Sequence, residues 1–224
     1  MSVWREAGLV AGKDLRIEAR SRVALAQILP FALIVILLFA FALDPDRGLL
    51  PRVAPGLFWI AVLLAALLAI GRAFAVEQQH DARSGLRIAG LDGAAIFLGK
   101  AAAVALELLA LEVVLGIGVI LLYDVEVHGV AVLLLTVVAA TVGLAATGTL
   151  YGVLAAGLRL RETLLPLLLL PVLAPLMLGA TRAFEDGLQG APDDAWPWVA
   201  LLFGFAGLYA ALGTLTFGAL WEEA

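Results

Sequence analysis

Two carboxylates interrupt a long apolar run, AAAVALELLALEVVLGIGVILL over residues 101–122, at Glu107 and Glu112. A carboxylate in hydrocarbon is costly, so it faces a protein interior or a wet cavity. Three uses suit such a group: a polar contact for a substrate, a proton-titrating site, or an interhelical bond to a Thr or Arg. A packing role held by hydrogen bonds is the structural alternative. Five residues of helix turn through about 500°, which leaves the pair roughly 140° apart around the axis. They therefore do not converge on one tight site. Other chemistry is sparse. With no cysteine there is no disulfide, thiolate metal site, Cys nucleophile or covalent haem attachment through paired cysteines. His80 and His128 are the only histidines, too few for a multi-His metal site in one chain. His128, at the outer mouth of a span, is a haem-iron ligand or, more simply, a solvated surface residue. Two stretches end in Gly-Lys, at Gly12–Lys13 and Gly99–Lys100. A phosphate-binding loop needs Gly five residues before its second Gly, and Ser or Thr after the Lys. Ala7 and Ala94 fill the first position and Asp14 and Ala101 the last, so ATP chemistry belongs to another chain.

The elements that position these groups are six apolar runs in 224 residues. The chain is 63% hydrophobic and 15% charged, against roughly 25% charged for a soluble domain, and its mean hydropathy is +1.06. The expected fold is an all-α polytopic membrane protein, residues 1–224 forming one domain, with transmembrane helices at about 23–43, 54–74, 101–122, 130–154, 164–181 and 198–220. The first run is longer than a signal-peptide core and is expected to be retained as a span. Eleven of the Lys and Arg residues fall in one set of connecting segments and three (Arg47, Arg52 and Arg182) in the other. The richer side is cytoplasmic, which puts both termini inside a bacterial inner membrane. The outer loops carry Asp44, Asp46, Asp124, Glu126, Glu185, Asp186, Asp193 and Asp194. Trp59, Tyr123, Trp196 and Trp198 are expected at the outer interface and Trp221 at the inner one. The net charge of −5 says little about nucleic acid, but there is no basic patch with interleaved aromatics, so no nucleic-acid partner is expected. No internal repeat of the secondary-transporter kind is present.

Four further features bear on function. Residues 1–22 read as an amphipathic helix in the headgroup plane, contacting membrane lipid. Arg5, Lys13, Arg16 and Arg20 form its basic stripe, opposite Val3, Trp4, Ala7, Val10, Ala11 and Leu15, with Asp14 and Glu18 intruding on the apolar arc. The longest cytoplasmic loop, about 75–100, has room for a short transverse helix that a partner grips. The fourth span has a GxxxG step at Gly148 and Gly152, serving close packing inside the bundle or a seam with a second copy of the chain. Pro166, Pro171 and Pro175 in the fifth span point to helix kinks, in a bent or re-entrant element.

The order and spacing of several segments resemble the haem exporter B (CcmB) permease family over nearly the whole chain. They are the basic amphipathic start, Pro30-Phe31, Leu43-Asp44-Pro45, Ala54-Pro55-Gly56 before Trp59, Arg72-x-Phe74 with Glu77, and Lys100. The remainder are Leu158-Arg159-x-Arg161-Glu162, Leu165-Pro166-Leu167 and Leu170-Pro171-x-x-x-Pro175. The resemblance implies a six-span permease bundle of the ABC exporter kind for cytochrome c maturation. Its implied partners are two copies of a cytoplasmic ATPase that binds ATP, a haem-handling membrane subunit, a small one-span subunit and a periplasmic haem chaperone. It implies haem as the handled ligand, with no cofactor or metal held by this chain alone, and no catalytic residue. Arg83, Leu86, Leu91 and Asp92 would then contact the ATPase, with Arg159, Arg161 and Glu162 as a second contact. The loop reads Ser84-Gly85-Leu86-Arg87 where the family commonly has an acidic-Gly-Leu-Glu-like stretch. Trp196-Pro197-Trp198 is not the family system's tryptophan-rich haem motif, which belongs to another subunit. The alternative function is a proton-coupled carrier using Glu107 and Glu112. An intramembrane enzyme would need a Ser/His, Asp/Asp or HExxH constellation, and none is convincing here.

Overall fold

The computed structural model describes residues 2–22, 24–43, 48–79, 90–156 and 161–223. Its helices are α1 (Val3–Ser21), α2 (Leu29–Ala42), α3 (Leu50–Gln79), α4 (Gly93–Tyr123), α5 (Val130–Ala156), α6 (Arg161–Leu188) and α7 (Trp196–Glu223). There is no strand among the described residues. The five helices α3 to α7 are each long and apolar enough to cross a bilayer. A sixth candidate crossing is the bent pair that α1 forms with the next segment, the π-helical turn Ala24–Ile28 followed by α2. At about 1.5 Å per residue the 19 residues of that turn and α2 reach about 28 Å, one hydrocarbon thickness. The π-turn sits where Pro30 removes the donor that would bond the Ala26 carbonyl and crowds that carbonyl with its ring. The preceding turn widens instead of breaking.

The helices extend well past their apolar windows. Hydropathy marks the part immersed in lipid, but backbone bonding carries a helix into the headgroup layer until a cap stops it. Asp92 is such a cap: its Oδ1 accepts from Ala94 N at 2.8 Å. Residues 75–79 accordingly finish α3 and 93–100 open α4, which shortens the expected 75–100 loop at both ends. A transverse helix, Arg83 and Leu86 fall in 80–89, outside the described residues.

The small-residue helix α5 is the axis of the bundle, packed by α3, α4, α6 and α7. From Ala139 to Leu150 every residue but Val142 is buried. Gly148 seats Ile70 of α3, and Gly152 seats the ring of Phe74 one turn on. The GxxxG step is therefore occupied within the chain, and a second copy has no access to it. α6 runs through Pro166, Pro171 and Pro175 without interruption, which corrects the expectation of a re-entrant element. Each proline frees one carbonyl, whereas breaking the helix would expose several backbone groups to lipid. The cost at Gly148 and Gly152 is steric. Valine at either position should lower stability by about 1–3 kcal/mol, seen as a lower melting temperature in detergent. Valine at Gly204, which has open space around its Cα, should leave it unchanged.

Candidate functional site

α1 does not lie free in the headgroup plane. It leans about 55° from α2 and runs alongside the cytoplasmic part of α4. The seat is Gly99: a Cβ there would stand 2.6 Å from both the Ala7 carbonyl oxygen and Val10 Cβ. The expected lipid-facing arc is thus divided, with Ala7 and Val10 buried on α4 while Trp4, 77% exposed, stays outside. The carboxylates that spoiled the apolar arc explain this placement. Asp14 Oδ2 lies 3.4 Å from Lys100 Nζ on α4, and its Oδ1 lies 2.8 Å from Lys13 Nζ. Glu18 Oε2 accepts from Arg72 Nε on α3 at 3.0 Å. Glu6 Oε2 accepts from the backbone N–H of Asp92 at 3.2 Å. One helix therefore fastens the end of the cytoplasmic loop, the start of α4 and the end of α3.

The charges need this arrangement. Lys100 is 2% exposed and stands 5.2 Å from the centre of the Phe74 ring. A buried ammonium without a carboxylate is strongly destabilising, and α1 supplies Asp14 as a counter-ion. Between α1, α3, α4 and α5 a cavity of about 160 Å³ remains, and Arg72, Lys100, Glu107 and Thr149 stand on its wall.

The two membrane carboxylates meet different partners, as their angular separation requires. Glu112 is buried, and both of its oxygens lie 2.8 Å from the Thr141 hydroxyl of α5, an interhelical bond. Glu107 opens on the cavity instead. Of the expected ATPase contacts, Leu91 and Asp92 stand at the mouth of α4, Leu91 packed on the core and the Asp92 backbone bonded to Glu6 of α1. Arg159 lies outside the described residues, as do the side chains of Arg161 and Glu162, which open α6. At the outer end His128 Nδ1 is 2.9 Å from the Leu188 carbonyl, and its Nε2 is 3.6 Å from Glu126. Two aromatic residues expected at the outer interface are core residues. Trp59, 1% exposed, packs with Phe58 and Phe184, and the Tyr123 hydroxyl donates to the Ile36 carbonyl at 2.8 Å. Trp221 is buried too, stacked on Phe217. The residues whose part in the site the sequence reading missed are Asp14, Glu18, Arg72 and Thr149. An acidic pair four residues apart on an apolar arc was the available signal for the first two.

Fold and site together define a multi-pass membrane protein. It has a charged seam at the end that the Lys and Arg asymmetry assigns to the cytoplasm, and no nucleotide loop of its own. A family model described as CcmB protein matches residues 6–222. The chain is 31% identical over 214 residues to heme exporter protein B of Paracoccus denitrificans, covering 92% of this chain and 93% of that one. It is 30% identical to the proteins of that name from Pseudomonas aeruginosa, over 88% of this chain and 89% of that one, and from Haemophilus influenzae, over 93% and 89%. The chain belongs to the CcmB family and is a multi-pass protein of the bacterial inner membrane.

The ion pairs make a checkable claim. Replacing Asp14 with Asn, with Lys100 kept, should cost up to about 3 kcal/mol. The double variant Asp14→Asn with Lys100→Met should recover much of that loss. Melting temperatures of the four proteins of the cycle measure the coupling, and additive losses would mean that the two groups do not interact.

Proposed function

We propose that this chain is the permease subunit of an ATP-driven, haem-handling complex. The name shared by its relatives, heme exporter protein B, supports haem as the ligand of the complex. The failed Gly-Lys motifs favour hydrolysis in a separate cytoplasmic ATPase, present as two copies in a complex with two copies of this chain. A haem-handling membrane subunit, a small one-span subunit and a periplasmic haem chaperone complete it. Hydrolysis drives outward release of haem or of the loaded chaperone.

The observation that carries this reading is the double attachment of α1. Its first turn holds the Asp92 backbone, at the end of the loop the ATPase would grip, and its later turns hold Lys100 and Arg72 inside the bundle. A push on the loop therefore reaches α3 and α4 through α1 with no slack segment between. Coupling of this kind needs two bundle states that the partner's ATP and ADP forms favour differently. Arg83, Leu86, Leu91 and Asp92 make the primary ATPase contact, and Arg159, Arg161 and Glu162 the second. Glu112 serves packing through Thr141 in this scheme, and does not carry protons.

Two experiments test it. Replacing Leu86 and Leu91 together with Asp should abolish co-purification of the ATPase; unchanged recovery sinks the assignment. In the assembled complex Glu6→Gln should leave ATPase binding intact but reduce haem release per ATP hydrolysed several-fold, while Glu112→Gln leaves it intact. Haem flux without any ATPase, lost in Glu112→Gln, would instead establish the proton-coupled carrier.

A further inference from the structure

The cavity between α1 and the bundle has unmet polar groups on its wall. Thr149 is 1% exposed and its Oγ1 has no hydrogen-bond partner among the described residues. On the same helix Thr147 donates to the Gly143 carbonyl at 2.8 Å and Thr141 to Glu112, while Thr136, away from the cavity, also has no hydrogen-bond partner among the described residues. Glu107 Oε1 is likewise buried without a hydrogen-bond partner among the described residues. Of the three guanidinium nitrogens of Arg72, only Nε has a hydrogen-bond partner among the described residues. Buried polar atoms are almost always satisfied, so this wall is built for something the described residues do not supply. The volume, about 160 Å³, exceeds the roughly 10–15 Å³ that one water occupies by the same measure.

The pattern of unmet groups specifies the guest. Glu107 needs a donor, and a cationic donor suits it best. Thr149 can donate or accept. The free fork of Arg72 suits a phosphate. Leu15, Ala69, Ala73 and Val104 line the rest with hydrocarbon. Ile17, also on the wall, is 37% exposed, so the cavity gives onto an apolar flank. A primary ammonium beside a phosphate on an apolar body is an aminophospholipid. The cavity lies where α1 meets the bundle at the cytoplasmic membrane edge, the depth of the inner-leaflet headgroups.

We infer that this cavity binds the headgroup of an inner-leaflet phosphatidylethanolamine. Its ammonium sits against Glu107 and Thr149, and its phosphate on the Nη groups of Arg72. The lipid is then a wedge between α1 and the helices it fastens, and the inference stands whether or not the transport reading holds.

Native mass spectrometry of the chain, purified with its partners from vesicles holding equal phosphatidylethanolamine and phosphatidylcholine, tests it. The wild-type protein should retain one phosphatidylethanolamine at least five-fold over phosphatidylcholine, whose trimethylated nitrogen has no N–H to donate. Glu107→Gln and the isosteric Thr149→Val should each reduce that preference several-fold. Equal retention of the two lipids by the wild type, or unchanged preference in both variants, overturns the assignment. Displacement of the lipid by an equal concentration of soluble phosphoethanolamine overturns the lipid as the source and leaves a free amine. If either variant fails to assemble, the wild-type preference alone decides.

Discussion

A charge at the edge of a bilayer must bring its own solvation, and in this protein that requirement decides how the N-terminal helix sits. Lys100 and Arg72 are on spanning helices, on a wall that also carries Ala, Val, Leu, Ile and Phe side chains with Glu107 and Thr149. α1 offers each of them a carboxylate, Glu18 to Arg72 and Asp14 to Lys100. Asp14 and Glu18 arrive on α1, four residues apart and so on one face. The same face carries Ala7 and Val10, which fit the gap left by Gly99. Apolar fit and ion pairing thus fix one register, and a slip of one residue would lose both.

The central helix follows the opposite rule. α5 is short of large side chains, so α3 approaches through Gly148 and Gly152, and α4 is tied to it by a hydrogen bond from Thr141 to Glu112. Lipid gives helices little hydrophobic reason to associate, which leaves close packing and polar bonds to hold a bundle together. Glu112 belongs to that work. Glu107, on a different face of the same helix, is left to the cavity. Two carboxylates of similar appearance in sequence therefore have different employment, set by which neighbour each one meets.

α1 is also the element through which loop, bundle and membrane surface meet. Its first turn caps the chain entering α4, its middle fills the Gly99 seat, and its last turns close one side of the polar cavity. An element held at three points passes on displacement, and an element that walls a cavity responds to what fills it. Those two properties give the bundle one place where a partner protein and a lipid can act on the same helix.

The sequence by itself determined the all-helical, multi-pass class, and it holds no complete phosphate-loop motif. Lipid forces every span into a helix about twenty residues long, and a phosphate loop tolerates few substitutions. It also indicated the family, through the order of many weak segments. Helix ends were out by several residues, because hydropathy records immersion in lipid while capping records where the backbone stops bonding. The interface aromatic residues Trp59 and Tyr123 went astray for a related reason: amphipathic rings suit the membrane boundary and a core hydrogen bond or aromatic cluster equally well. Only the tertiary structure decided that Asp14 and Glu18 are counter-ions, that Gly148 and Gly152 are filled from within, and that Glu107 and Thr149 share a cavity. Each depends on contacts between helices far apart in the chain, and periodicity along one helix carries no record of what stands opposite.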